Sequence, residues 1–243
     1  MYKEAFEIGD KEVISIVGAG GKTTLMYSLA KNLNMENKKV ITTTTTKILP
    51  PSLEETEHLL ISDNDEEIIE FVRSGRYRHV TIAKEHLPSG KLDGIDENLI
   101  KKLKDLVDYI IIEADGAARR PLKVPGPHEP VIPSITTIVI PVAGIDALGL
   151  KLSNENVFRA EIASKLTGSP LGSEVTYEIM AILIFNMAKD VPADSRIIPF
   201  INKIDIDEGR EKGRRLGREL IKLGYKRVIL GQAKDLNNIE VLN

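Results

Sequence analysis

Ile16-Val17-Gly18-Ala19-Gly20-Gly21-Lys22-Thr23-Thr24 closes an apolar run and opens a helical one. The phosphate-cradling pattern is G-x-x-x-x-G-K-[ST], yet the position six residues before Lys22 holds Ile16 instead of glycine. The rest fits. Glycines 18, 20 and 21 permit positive φ and let backbone N–H groups approach an anion. The following stretch, "KTTLMYSLAKNL", puts a helix N-terminus behind them. In this reading Gly18, Ala19, Gly20, Gly21 and Thr24 line the phosphates and Lys22 bridges the β- and γ-phosphoryl groups. Thr23 then holds Mg²⁺ through its hydroxyl. The alternative is a tight strand-to-helix turn with a surface lysine.

Working outward, short apolar runs alternate with helical patterns. Strands are expected at 12–17, 38–44, 79–83, 108–114, 136–142, 196–201 and 226–231, with a weaker edge strand at 58–62. Helices are expected near 22–34, 65–74, 96–107, 155–167, 173–189 and 207–223. Strands apolar along their whole length suit a parallel sheet covered on both faces. The alternation predicts a three-layer, P-loop NTPase-like α/β fold, mostly parallel, with helices on both faces. The expected organisation is one domain over 1–243 with a helical insertion around 153–190. That insertion is a candidate partner surface or homo-oligomer interface.

Composition narrows the classes. The chain has 243 residues, net charge −3 and no cysteine. A near-neutral balance argues against a nucleic-acid or membrane-surface binder. The lack of thiols excludes disulfides, thiolate zinc sites and thiol nucleophiles within this chain. The acidic, polar start predicts no signal peptide. The longest apolar stretch, "IMAILIF", falls well short of the roughly 20 residues that span a bilayer. A cytoplasmic location is the expectation.

Three further segments carry chemistry. "YIIIEADGA" (109–117) ends an apolar strand in Glu113, followed by Asp115 and Gly116. A carboxylate at such a strand tip organises Mg²⁺ and its waters. Glu113 is the candidate metal partner, and Asp115 a second candidate for orienting water or metal. The residues leave open which of the two is nearer. "ITTTTTKIL" (41–49) supplies Thr45 as a further metal ligand and Lys47 to neutralise phosphate charge.

"PFINKID" selects the base. Asn202-Lys203-Ile204-Asp205 follows a strand. A carboxylate only accepts hydrogen bonds, so Asp205 suits the adjacent N1–H and N2–H₂ of guanine and opposes the lone pair of adenine. Lys203 would cover the base plane and Asn202 would tie loops together. "VILGQAK" adds Ala233 and Lys234, placed like the guanine-O6 loop of GTPases. The expected ligand is Mg²⁺ with GTP, ATP being the alternative.

"DGAARRPLKVPGPHEPVIP" (115–133) brings Arg119, Arg120, Lys123, His128 and Glu129 into one proline-restricted loop. Paired arginines suit phosphate or carboxylate. This loop is a candidate site for an anionic second substrate, or for a transition-state arginine.

The shortened loop resembles that of the Mur ligases. Taken together, "VGAGGKTTLM", "TTTTK", "IIIEADGAARRPLKVPGPHEPVIP" and "NKID" resemble the YqeC family of P-loop proteins. The resemblance implies a nucleotide site at Gly18 to Thr24, Glu113 and Asp115, with the basic loop beside it. It also implies a role in maturing selenium-dependent molybdenum hydroxylases, with such an enzyme or a cofactor-maturation protein as partner. The chain departs from ordinary GTPases in the long interval between Glu113 and Asn202. Two activities stay open: a GTP-hydrolysing maturation factor, and an ATP- or GTP-dependent kinase or ligase for an anionic substrate.

Overall fold

In the computed structural model, which describes residues 2–243, the run before the phosphate loop is a strand, Glu12–Gly18 (β1), buried at every position. Its side chains alternate between two cores. Val13 and Val17 enter one, Ile14 and Ile16 the other. A strand covered on both faces needs no polar side.

The remaining main-sheet strands are Val40–Thr44 (β2), His58–Ile61 (β3), His79–Ala83 (β4), Tyr109–Glu113 (β5), Ile138–Gly144 (β6), Phe200–Asn202 (β7), Val228–Gln232 (β8) and Asp235–Leu242 (β9). Their order is β9-β8-β7-β6-β1-β5-β2-β4-β3, with Arg196–Ile197 as a further short strand on β6. All neighbours run parallel except β9, which folds back on β8. Helices are Lys22–Met35 (α1), Asp65–Ser74 (α2), Glu97–Leu103 (α3), Ala160–Thr167 (α4), Tyr177–Met187 (α5) and Gly209–Lys222 (α6). Helix α1 and the N-terminal turn Tyr2–Ala5 cover one face. Helices α2 to α6 cover the other. This is the three-layer, mostly parallel α/β arrangement expected.

Several boundaries differ for local reasons. The expected strand 196–201 is interrupted at Pro199, which has no N–H for the ladder. The expected helix 155–167 starts only at Ala160, because Val157–Phe158 pairs with Leu122–Lys123 and Arg159 is left-handed at φ 66°. The helix expected at 173–189 starts at Tyr177, where the Thr176 hydroxyl accepts from the Ile179 N–H. Helix α5 packs on β1, β6 and α6, so this part of the expected insertion is core. Two features escape a periodicity reading. One is β9. The other is a small antiparallel sheet of Lys47–Ile48, Leu92–Asp93 and Glu85–His86 beyond the end of β2.

Register sets the functional edge. Ile16 lies opposite Glu113, Gly18 opposite Val142, and Gly144 opposite Asn202. The carboxyl ends of β1, β5, β6 and β7 therefore meet at one edge. The chain winds to one side of β1 through β5, then crosses to the other with β6. Ligands of open α/β sheets bind at such a switch point.

Candidate nucleotide site

Ile16 explains the missing glycine. It is a fully buried strand residue paired with both Glu113 and Ile140, so the turn begins only at Gly18. Gly18 has φ 98°, and a Cβ there would sit 2.3 Å from the Val142 carbonyl oxygen. Gly21 has φ 129°, and its Cβ would meet Asn202 Nδ2 at 2.2 Å. Backbone conformation and space both demand glycine at these positions. Ala19 is buried, its N–H donating to the Val142 carbonyl at 2.9 Å.

Lys22 opens α1 and is 5 % exposed. Its Nζ donates to the Gly18 carbonyl at 2.8 Å and lies 3.2 Å from Asp115 and 3.5 Å from Glu113. Burial pushes the ammonium pKa down, but the Glu113 and Asp115 carboxylates outweigh it and hold it above the ordinary lysine value. The Thr23 hydroxyl donates to Glu113 Oε2 at 2.6 Å. Hydroxyl and carboxylate are both hard oxygen donors, side by side at a helix N-terminus. Among the described residues no cluster of three or more His, Cys, Asp or Glu side chains could hold a metal alone. The pair fits Mg²⁺, which takes one or two protein oxygens and completes its shell with phosphates and water.

Asp115 occupies a different place from the one expected. It is fully buried, and both its oxygens accept from the Gly18 N–H, at 2.9 and 3.1 Å. Lys123, also fully buried, lies 2.9 Å from it and 2.8 Å from Glu129. Glu129 in turn receives Arg159 Nη1 at 2.6 Å. Asp115 thus braces the phosphate loop from behind and has no open face for orienting water or metal. Lys123 points inward, which removes it from any substrate surface; Glu129 is half-buried and taken up by Lys123 and Arg159, and His128 is exposed. Thr45 is a further correction. Its hydroxyl donates to the Val131 carbonyl at 2.6 Å, and its only link to Glu113 is backbone, from the Thr45 N–H to the Glu113 carbonyl at 3.3 Å.

A cleft of about 720 Å³ opens beside the loop. Gly20, Gly21, Lys22, Thr23, Thr24 and Glu113 line its base, and Lys47, Arg119 and Arg120 its flanks. Arg120 Nε donates to the Asn154 carbonyl at 2.8 Å. Lys91 also lines the cleft. Nothing in the sequence pattern singled it out.

The base-reading candidates gather on the other side of the loop. Asn202 Nδ2 donates to the Gly20 carbonyl at 2.7 Å, and its Oδ1 accepts from the Ala233 N–H at 2.8 Å. One side chain thus ties the phosphate loop to the β8–β9 turn, where Ala233 and Lys234 are the two turn residues. Asp205 is exposed and accepts from Gln232 Nε2 at 3.0 Å. Lys203 Nζ lies 2.5 Å from the Asp146 carboxylate. Lys234 is exposed.

Comparison with known proteins supplies a family. The profile described as "YqeC protein" matches residues 14–161. The chain belongs to the YqeC family. It is 34 % identical over 197 residues to "Uncharacterized protein YqeC" of Escherichia coli K12, covering 79 % of this chain and 75 % of that one. A crystal structure of FtsY from Mycoplasma mycoides superposes with a TM-score of 0.35 and 12 % identity over all of this chain and 70 % of that one. The matched span of this YqeC-family chain includes the phosphate loop, Glu113 and the basic loop and ends before Asn202.

Proposed function

We propose that this YqeC-family chain binds Mg²⁺–GTP and hydrolyses its terminal anhydride. It would act as a GTP-dependent accessory factor in the maturation of selenium-dependent molybdenum hydroxylases. The observation that carries the nucleotide part is the contact of Thr23 with Glu113 beside a buried, charged Lys22. Lys22 now satisfies the Gly18 carbonyl; with nucleotide present it turns to the β- and γ-phosphoryl oxygens. Thr23 and Glu113 would hold Mg²⁺, which would supply charge neutralisation at those oxygens. Water attacks the γ-phosphorus, the β–γ bridging P–O bond breaks, and the water proton leaves with the phosphate or to solvent. The bridge from Asn202 to the Gly20 carbonyl and the Ala233 N–H supports guanine as the base. It ties the base-side segments to the phosphate loop, with Asp205 three residues further on. The maturation role rests on the family resemblance.

The test is calorimetry with GTP and ATP, each with Mg²⁺, on wild type, Lys22→Ala and Asp205→Asn. The reading expects GTP to bind in preference to ATP, Lys22→Ala to abolish binding, and Asp205→Asn to remove the preference. Tight ATP binding indifferent to Asp205 would sink the guanine assignment. Binding of neither nucleotide would sink the site.

A second reading, an ATP- or GTP-dependent kinase or ligase, is favoured by the cationic cleft flank at Lys47, Arg119 and Arg120.

A further inference from the structure

The cleft and the base-side segments lie on opposite sides of the phosphate loop. The Asn202 motif follows β7, two strands to one side of β1; Lys47 follows β2, two strands to the other. At about 4.8 Å per strand that spans roughly 19 Å of sheet edge. A nucleotide running from Asp205 to Lys22 and Thr23 uses the β7-to-β1 half. The half between β5 and the small sheet is left open, and that is where the cleft lies.

The lining of this open half is selective. Lys47 comes from the small sheet, Lys91 from its hairpin, and Arg119 from the turn after β5. None of the three has a side-chain hydrogen bond or ion pair among the described residues, although all three line one concave cleft. Arg119 is also held at φ 59°, beside Ala118 at φ 46°. Left-handed backbone at two successive non-glycine residues persists only where surrounding structure imposes it. Between the cations lie the apolar Tyr27, Ile48, Leu49 and Pro50, with Ser89 and one carboxylate, Glu55, also on the lining. Unpaired cations from three segments around these apolar side chains form a concave site of ordinary ligand size.

We infer that this half of the cleft binds a second small molecule, an amphipathic anion. Its phosphate or carboxylate would sit on Lys47, Lys91 and Arg119, and its apolar part on Tyr27, Ile48 and Leu49. This rests on the nucleotide reading, because it places that anion next to the γ-phosphate position. It also moves the second-substrate site away from Lys123 and Glu129.

The test uses the full chain loaded with Mg²⁺–GDP, followed by two-dimensional amide NMR. Phenyl phosphate is the probe, benzoate its carboxylate counterpart, and phenol the uncharged control. Expected are saturable shifts at Ser89, Lys91 and Arg119 with one or both anions and none with phenol; which anion binds tighter assigns the head group. Lys47→Ala/Lys91→Ala should weaken binding about tenfold or more, as when hydrogen bonds to charged groups are lost. Lys91→Ala by itself should keep the GDP affinity within about twofold, since no hydrogen bond or ion pair joins Lys91 to the phosphate loop. Shifts confined to Gly18 to Thr24 would mean simple competition for the phosphate loop and would overturn the inference. So would no shifts at all. If wild type binds no nucleotide, the nucleotide reading fails, and the titration on free protein decides the cleft alone: shifts at Lys91 and Arg119 sustain it and their absence ends it.

Discussion

Lys123 Nζ lies 2.9 Å from the Asp115 carboxylate, and neither side chain has any exposed surface. The pair hangs the basic loop from the back of the phosphate loop, because the same carboxylate accepts the Gly18 N–H. Removing one partner of a buried pair leaves an uncompensated charge and costs about 3 kcal/mol or more. Lys123→Met should therefore lower the unfolding free energy by that amount, read as a lower urea midpoint, and weaken nucleotide binding with it. Asp115→Asn/Lys123→Met should be less destabilised than the sum of the single variants. Strict additivity in that cycle would show that the two do not act as a pair.

Acid should unfold the protein in two separable stages. Burial of His79 holds its pKa down at about 4, only partly opposed by the charge of Glu57. The unfolded imidazole takes up a proton near pH 6.5 and the folded one does not, so stability is full above pH 6.5 and falls until about pH 4. The difference is on the order of 3 kcal/mol. His79→Gln should flatten this stage in chemical denaturation between those pH values.

The second stage belongs to Glu129. Burial raises its pKa, but hydrogen bonds from Arg159 and Lys123 outweigh burial and hold it at about 2. A depressed carboxyl contributes stability above its unfolded value near 4.5, and the contribution drains away as pH falls towards 2. Allowing for the partial exposure of Glu129, that is about 2 kcal/mol. Arg159→Met should shrink this stage while leaving the His79 stage in place. A variant whose losses fall equally in both windows would contradict the assignment.

Much of the fold could be read because burial on both faces writes long apolar runs, as in β1 and β5. The nearness of Lys22, Thr23 and Glu113 was also readable, since each sits at the end of a strong strand or the start of a strong helix. Asp115 was misplaced for a physical reason. Whether a carboxylate two residues past a strand faces solvent or core depends on what packs behind it, here Lys123 from a loop. Thr45 was misplaced similarly, because its hydroxyl is taken by the distant Val131 carbonyl. Lys91 escaped notice because two-residue strands such as Leu92–Asp93 have no periodicity to show. Asn202 was expected to tie loops together, but its two partners come from segments far away in sequence.

Gly21 gives a test of that tie. Its φ of 129° and the 2.2 Å that would separate an added Cβ from Asn202 Nδ2 leave no room for a side chain. Gly21→Ala should push Asn202 off the Gly20 carbonyl and weaken nucleotide binding at least as much as Asn202→Ala. Because the two changes break one contact, the double variant should bind about as weakly as Gly21→Ala alone. Independent, additive losses measured by calorimetry would show that Asn202 acts elsewhere.

Glu113 is the position where charge alone can be removed. A glutamine there keeps the shape and still accepts the Thr23 hydroxyl, which now lies 2.6 Å from the carboxylate. It loses the negative charge that would draw Mg²⁺, and it relieves the anion facing the phosphates. Two effects of opposite sign follow. Nucleotide without metal should bind Glu113→Gln as well as wild type or better. The Mg²⁺ concentration for half-maximal hydrolysis should rise about 10- to 100-fold, the usual loss when a group supporting a metal site is removed. Titrating Mg²⁺ at fixed GTP separates the two. A variant that loses nucleotide and metal affinity together would point to a collapsed loop, and an unchanged Mg²⁺ requirement would remove Glu113 from the metal site.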